Sequence, residues 1–450
     1  MNQLISWLNW FNRQKIIFLI GCVVLCLGAV FPWYQLPPQG LDTFKVSFIW
    51  SHLGRFLVAI IAILGFATFF YYRINQFTRT IFWITLTIVL LFPYCMTTWQ
   101  PTISFLSLSY YNQGISVSRH IDRNFSEVQS QWKQGLTLNR SKPVDSIVGL
   151  TISDSRFFQL PSWENIWIDG FGYNNSFFSF IGKGWSFSIV GLITCLAGFY
   201  LEEENNELHK LLTDLKFVLP SAVMLISVIV SFLVWVNIVD YGLGEKFAKG
   251  EYQEVISVSR KLAIAYPPLN GDTLFMERMA KASLYSNQPE PALINFAKGL
   301  EHFRVNDFDQ SVDYFRLSLA EQDNNFLVRG YLASALINQG VDYFNNLQQL
   351  RGRRAGGALD IFDQTLQIFP NHIECLYSTM IARVINGEFD KSAQVAKRII
   401  ENNKYFQSPN NSLLGQAYLH MSWDNFAGGN MTEAWKLYRQ SIDDSLWKNK

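Results

Sequence analysis

One stretch constrains this chain more than any other feature. Residues 217–239 (FVLPSAVMLISVIVSFLVWVNIV) hold about 23 apolar or uncharged residues in a row. As a helix, such a run is long enough to cross the hydrocarbon core of a bilayer. It also divides the chain. The residues before it read as membrane protein, and those after it as a water-soluble helical array. Composition agrees with that mixture. Of the 450 residues, 49% are hydrophobic and 16% charged, which suits neither one compact soluble domain nor a pure membrane bundle. A net charge of +1 argues against nucleic acid as a partner of the whole chain.

Four further apolar runs come first, at 16–31, 56–72, 81–96 and 187–201. The first follows a basic approach but shows no small-residue cleavage site, so it reads as an uncleaved anchor. Residues 1–15 carry Leu4, Ile5, Leu8 and Phe11 at helical spacing. They form either an interfacial helix or the first turns of the anchor. Orientation follows from the basic residues in short loops. Arg13 and Lys15, Arg73 and Arg79, and Lys210 and Lys216 share one side if all five runs cross, against Lys45 and Arg55 on the other. That places the N-terminus in the cytoplasm and the C-terminal half outside it. The segment 97–186 holds one amphipathic helix, marked by Ile121, Phe125, Val128 and Trp132. Its aromatic-rich remainder, with Trp163, Trp167 and Trp185, either rests on the membrane surface or caps a pore or a partner's helix.

Beyond Asp240 a frame repeats. Gly387, Phe389, Ser392 and Ala396 match Ala358 and Phe362 one period earlier, and Ala358 and Ser392 are about 34 residues apart. Gly429, Ala434 and Tyr438 continue the frame. Upstream, Asn306, Phe308, Ser311 and Phe315 fit it, as do Gly250, Tyr252 and Val255. The segment 271–287 reads as an extra helix out of period. Arg351, Arg353 and Arg354 fall in a loop that ends at Gly356 and Gly357, inserted into the third unit. Over 244–447 the sequence resembles the tetratricopeptide repeat (TPR) family. The resemblance implies an α-solenoid of four to six helix pairs, in which stacked neighbours bury a continuous core. It implies a concave groove lined by the first helix of each pair, here Phe296, Leu300 and Phe303, then Glu374, Tyr377 and Ile381, then Gln416, Leu419, Trp423 and Phe426. It puts Tyr438 at an inter-unit packing position. An aromatic groove suits an extended apolar peptide or an amphipathic helix of a protein partner.

The expected architecture is therefore all-α. Three membrane helices occupy 1–96, a loop 97–186, two more membrane helices 187–239, and a TPR-like domain 240–450. Chemistry is sparse. The five cysteines sit mostly in apolar runs, and Cys22 and Cys26 read as packing residues. His372 and Cys375 lie one turn apart, too few ligands for zinc. No phosphate loop or catalytic motif occurs, and no metal, cofactor or small-molecule substrate is implied. The expected function is a membrane scaffold, in contact with lipid, that gathers protein partners in an envelope assembly. The alternative is a membrane enzyme of glycosyl-transfer type, with acids among Asp145, Asp154, Glu164 and Asp169, or a transporter subunit with a regulatory repeat arm.

Overall fold

The computed structural model describes residues 13–34, 49–71, 76–99, 181–200, 207–286, 289–349, 356–403 and 411–442. The amphipathic helix expected near Ile121, Trp163, Trp167, the four loop acids and the Arg351–Arg354 cluster lie outside these residues. The protein is all-α: fifteen α-helices and no strand occur among the described residues. Two compact units divide between Tyr241 and Gly242.

The first unit contains α1 (Arg13–Val30), α2 (Ile49–Tyr71), α3 (Gln76–Trp99), α4 (Lys183–Tyr200) and most of α5 (Glu207–Ala248). The described residues of every apolar run are helical, apart from Phe31 just after α1. Each helix begins before its run, and α5 does not stop at Val239 but continues to Ala248. Two of them, in α2 and α5, are long and apolar enough to cross a membrane, while α1 and α3 contain shorter apolar stretches.

α1 and α4 form the tightest pair. Gly21 and Gly28 on α1, and Gly184, Gly191 and Gly198 on α4, recur at heptad spacing. A Cβ on Gly21 would meet the Cys195 backbone nitrogen at 2.7 Å, and one on Gly191 would meet that of Leu25 at 2.8 Å. The two helices run antiparallel with backbones in near contact, as small residues permit. Phe18, Phe82 and Phe199, one ring each from α1, α3 and α4, pack with centroids 4.8 to 6.0 Å apart.

Several polar groups in this unit are satisfied internally. Arg55 on α2 donates to the carbonyls of Ala29 (2.9 Å) and Val30 (2.7 Å), two orphan acceptors at the end of α1. Trp33 Nε1 donates to the Gly28 carbonyl at 2.9 Å. Trp185, expected in the surface loop, instead belongs to α4 and donates to the Val89 carbonyl of α3 at 2.7 Å. The middle of α5 is open, although Val236 and Leu243 further along it are buried. Val223, Met224, Leu225 and Ile226 are all exposed, and four consecutive residues cover a full turn.

The second unit continues with α6 (Tyr252–Ala265), a 3-10 turn (Pro267–Gly271), α7 (Thr273–Tyr285), α8 (Pro291–Arg304), α9 (Phe308–Glu321) and α10 (Phe326–Gln349). After these come α11 (Gly356–Ile368), α12 (Ile373–Ile385), α13 (Phe389–Asn403), α14 (Asn411–Ala427) and α15 (Met431–Ser441). The out-of-period segment is α7, as its spacing predicts. Gly356 and Gly357, expected in the inserted loop, instead open α11.

One turn geometry occurs four times. Gly250, Asn306, Gly387 and Gly429 take positive φ, and each stands five residues before the small or β-branched residue of the next helix: Val255, Ser311, Ser392 and Ala434. In each turn the following residue's N–H reaches back to a helix carbonyl: Glu251 to Lys246, Asp307 to His302, Glu388 to Arg383 and Asn430 to Asn425, at 2.8 to 3.1 Å. These are Schellman caps, which close a helix with a left-handed residue. Three of the four residues are glycine, which takes this conformation freely, and Asn306 (φ 61°) is the exception. Asn306→Gly should therefore raise stability, by up to about 1 kcal/mol, and Gly387→Ala should lower it by a similar amount. Thermal melts of the two variants check this.

Helix-to-helix packing repeats with the turn. Ser311 Oγ donates to the Gly299 carbonyl, Ser392 Oγ to Met380 and Ser422 Oγ to Ala434, at 2.8 to 3.0 Å. Gly299 and Gly340 leave room for the Phe315 and Phe362 rings, to which an added Cβ would approach 2.6 Å. Both rings are fully buried. Tyr438 departs from this pattern. It holds the frame position of Phe315 yet is 38% exposed, and Ala434 and Leu437 are the buried apolar residues of α15 instead.

Candidate partner-binding surface

The seven residues assigned to a groove divide in two. Phe296, Leu300, Phe303 and Tyr377 are buried and do not line an open surface. Phe296 and Phe303 pack against Tyr331 of α10 at 6.0 and 5.7 Å, so the face of α8 read as groove is closed by the next helix pair. Burial also pushes the Tyr377 hydroxyl above its usual range. Their neighbour Glu374 is buried too, and Ile381 packs against the core around Phe362. Periodicity identifies which residues share a helix face, and here it did not identify what that face meets.

The other three remain accessible, all on α14. Leu419 is half-buried, Trp423 is 38% exposed and Phe426 is 62% exposed. Trp423 is held by the ring of His420, 4.8 Å away. His420 is buried and its Nδ1 lies 2.8 Å from Ser392 Oγ. That hydroxyl already donates its one proton to the Met380 carbonyl, so the imidazole carries a proton on Nδ1 and donates it to the serine. Burial lowers the His420 pKa to about 4 and keeps the ring neutral.

The adjoining helix α15 adds a second apolar strip. Met431, Trp435, Tyr438 and Ile442 are 38% to 57% exposed and follow i, i+4, i+7, i+11 spacing. Trp435 and Tyr438 stack at 5.6 Å, and the Arg439 guanidinium sits over Trp435 at 5.5 Å. Sequence reasoning missed this strip. Its spacing was visible, but the same spacing marks a core face in α9. Exposed aromatic surface of this kind beside a fixed cation is suited to docking another chain.

Most of the remaining polar groups are occupied with structure, while Asn371 Nδ2 and His372 Nδ1 are buried without a hydrogen-bond partner among the described residues. In α7, burial opposes ionisation of Glu277, but hydrogen bonds from Arg304 and Lys281 outweigh it and hold the carboxyl below its usual range. Cys375 donates to the Phe362 carbonyl, and His372 packs edge-on against Phe369. A polar cleft of about 550 Å³ opens beside Asn270, Glu321, Asp323 and Phe326. Asp323 pairs with Arg329 there, and Asn270 donates to the Pro267 carbonyl. Among the described residues, no group of three or more His, Cys, Asp or Glu is placed to hold a metal ion. No protein-family model matches the chain, and no curated protein matches it.

Proposed function

We propose that this protein is an integral membrane scaffold. Helices α1 to α5 cross the bilayer as five spans, and a TPR-like solenoid beyond them recruits protein partners of an envelope assembly. The four recurrent Schellman turns, each five residues ahead of a helix–helix packing residue, are the observation that carries the solenoid reading. The outward apolar surface of α5 and the apolar outer residues of the bundle, such as Ile20, Ile63 and Ile88, support lipid as the surround. The basic loops favour a cytoplasmic N-terminus and a repeat domain on the opposite side.

Two measurements test this. A reporter fused after Lys450 should register an extracytoplasmic site, and one inserted at 201–206 a cytoplasmic one. A cytoplasmic C-terminus would remove one span from the count. Partner binding should depend on Trp423 and Phe426, since a few exposed aromatic anchors dominate most interfaces. Trp423→Ala should weaken binding by about 2 kcal/mol, roughly thirtyfold, while the helices stay folded. Equal affinity of the variant for crosslinked envelope partners would sink the α14 surface as the docking site.

A further inference from the structure

The strip on α15 has counterparts inside the same chain, and they show how such a face is covered. Counted from the left-handed turn residue, Met431, Trp435, Tyr438 and Ile442 correspond to Phe308, Val312, Phe315 and Leu319 on α9. On α6 the same places hold Tyr252, Ile256, Ser259 and Ala263. Phe308, Val312, Phe315, Ile256, Ser259 and Ala263 are each no more than 9% exposed, whereas the four α15 residues are 38% to 57% exposed. In both buried cases the cover comes from the helix before, where Phe303 of α8 meets Phe308 at 5.7 Å and Phe247 of α5 meets Tyr252 at 5.5 Å, and also from the next helix in the chain. Phe315 of α9 meets Tyr331 of α10 at 5.8 Å, and Tyr252 of α6 meets Tyr285 of α7 at 5.2 Å. A stacking face that α-helices fill twice within the unit stands open on its last described helix.

The surround of the strip narrows the occupant further. Arg439 lies over Trp435 and makes no ion pair among the described residues. A guanidinium fixed beside an apolar strip favours a carboxylate at the edge of whatever covers it. Two copies of α15 packed face to face in parallel register would bring Arg439 onto its own counterpart, a like-charge contact. Lipid would meet the strip as a fluid surface, without the ridge of side chains that fills the equivalent faces of α6 and α9.

We propose that the outward face of α15 seats an amphipathic helix of a partner protein, which extends the helix stack by one member and presents a carboxylate to Arg439. This rests on the reading that the second unit recruits proteins, but it uses a different helix from the α14 surface. The partner helix carries an aromatic or aliphatic residue against Trp435 and Tyr438, as Tyr331 does against Phe315. Its acidic residue lies one turn from that contact.

The test uses the full-length chain in its own membrane, with the photoreactive residue p-benzoylphenylalanine in place of Tyr438, and in a second chain in place of Trp423. After irradiation the adducts are sequenced by mass spectrometry. The expected adduct at position 438 falls on one helical, acidic segment of another protein. A synthetic peptide of that segment should bind the purified full-length protein in nanodiscs. It should lose about tenfold in affinity on Trp435→Ala and on Arg439→Glu. A peptide with its acidic residue changed to lysine should recover binding to the Arg439→Glu protein. Adducts at 438 that fall on a second copy of this chain, or on lipid, overturn the proposal. So does a bound peptide indifferent to Arg439→Glu. No adduct at 438 with protein adducts at 423 overturns the α15 proposal and leaves the recruiting role intact. No protein adduct at either position overturns both.

Discussion

Gly191→Leu should part α1 from α4 and dismantle the first unit. A Cβ at Gly191 would stand 2.8 Å from both the backbone nitrogen and Cγ of Leu25. A side chain can rotate away, but a backbone nitrogen inside a helix cannot, so the helix axes must separate. The separation would be felt along the whole pair. Gly198 leaves the same narrow space for Phe18, and Gly21 for Cys195. In a bilayer, lipid tails are as apolar as the side chains, so close packing itself supplies most of the attraction between helices. An ordinary overpacking change costs about 1–3 kcal/mol, and this one should exceed that range because it opens the interface on both sides of the substitution. Ile193→Leu, on the exposed side of the same helix, should cost almost nothing.

A chemical readout is built into the pair. Cys22 on α1 and Cys195 on α4 face each other with sulfurs 3.9 Å apart. Treatment with copper phenanthroline in a chain lacking the other three cysteines should join them, once the side chains turn to bring the sulfurs to about 2 Å. Fragments cut between α1 and α4 would then stay linked until reduced. Gly191→Leu should abolish that link. If the variant crosslinks as fully as the parent, the close antiparallel packing of α1 on α4 is wrong.

The second unit should lose stability steeply in mild acid. His372 and His420 are both buried, and burial lowers their pKa values to about 3 and about 4. An exposed imidazole titrates near ~6.5. The unfolded chain therefore takes up two protons below ~6.5 that the folded chain refuses. The stability these residues contribute is full above ~6.5 and falls as pH drops toward about 4. Each histidine contributes a slope of up to about 1.4 kcal/mol per pH unit, so the loss is on the order of several kcal/mol for the pair. Glu277, Glu254 and Glu388 have lowered values and would add to the loss only nearer their own range, below about 4.5.

Hydrogen exchange of α12 and α14 peptides in the full-length protein between pH 7 and 4.5 measures the effect, once corrected for the intrinsic pH dependence of exchange. His420→Asn separates the contributions. Its amide nitrogen stands near the place of Nδ1 and can still donate to Ser392, but it does not titrate. The variant should keep its protection at low pH better than the parent. An identical loss in both would show that His420 titrates freely in the folded state.

The positions of helices were largely legible in the sequence. Each apolar run became a helix, and the repeat frame placed the turn at Gly250, Asn306, Gly387 and Gly429. These are local properties. A left-handed cap, a run of apolar residues and a helical period are each specified within a few turns of chain, and local physics suffices to read them. The helix ends were less legible, as α5 shows by continuing to Ala248. Its continuation after Val239 is polar enough to look like a new domain and helical enough to extend the old one.

The surfaces were decided elsewhere. Phe296, Leu300 and Phe303 have the spacing of a groove and form a core instead, because Tyr331, on the following helix pair, closes over two of them. Tyr438 has the spacing of a core residue and faces out. The heptad glycines of α1 and α4 were plain in the sequence as residues, but they stand some 160 positions apart and have no meaning until the two helices are antiparallel neighbours. Amphipathic spacing is one-sided information. The sequence by itself determined which residues of this protein share a helix face and where the chain turns. Only the tertiary structure decided which faces are covered, since burial depends on a second surface that the segment's own residues do not encode.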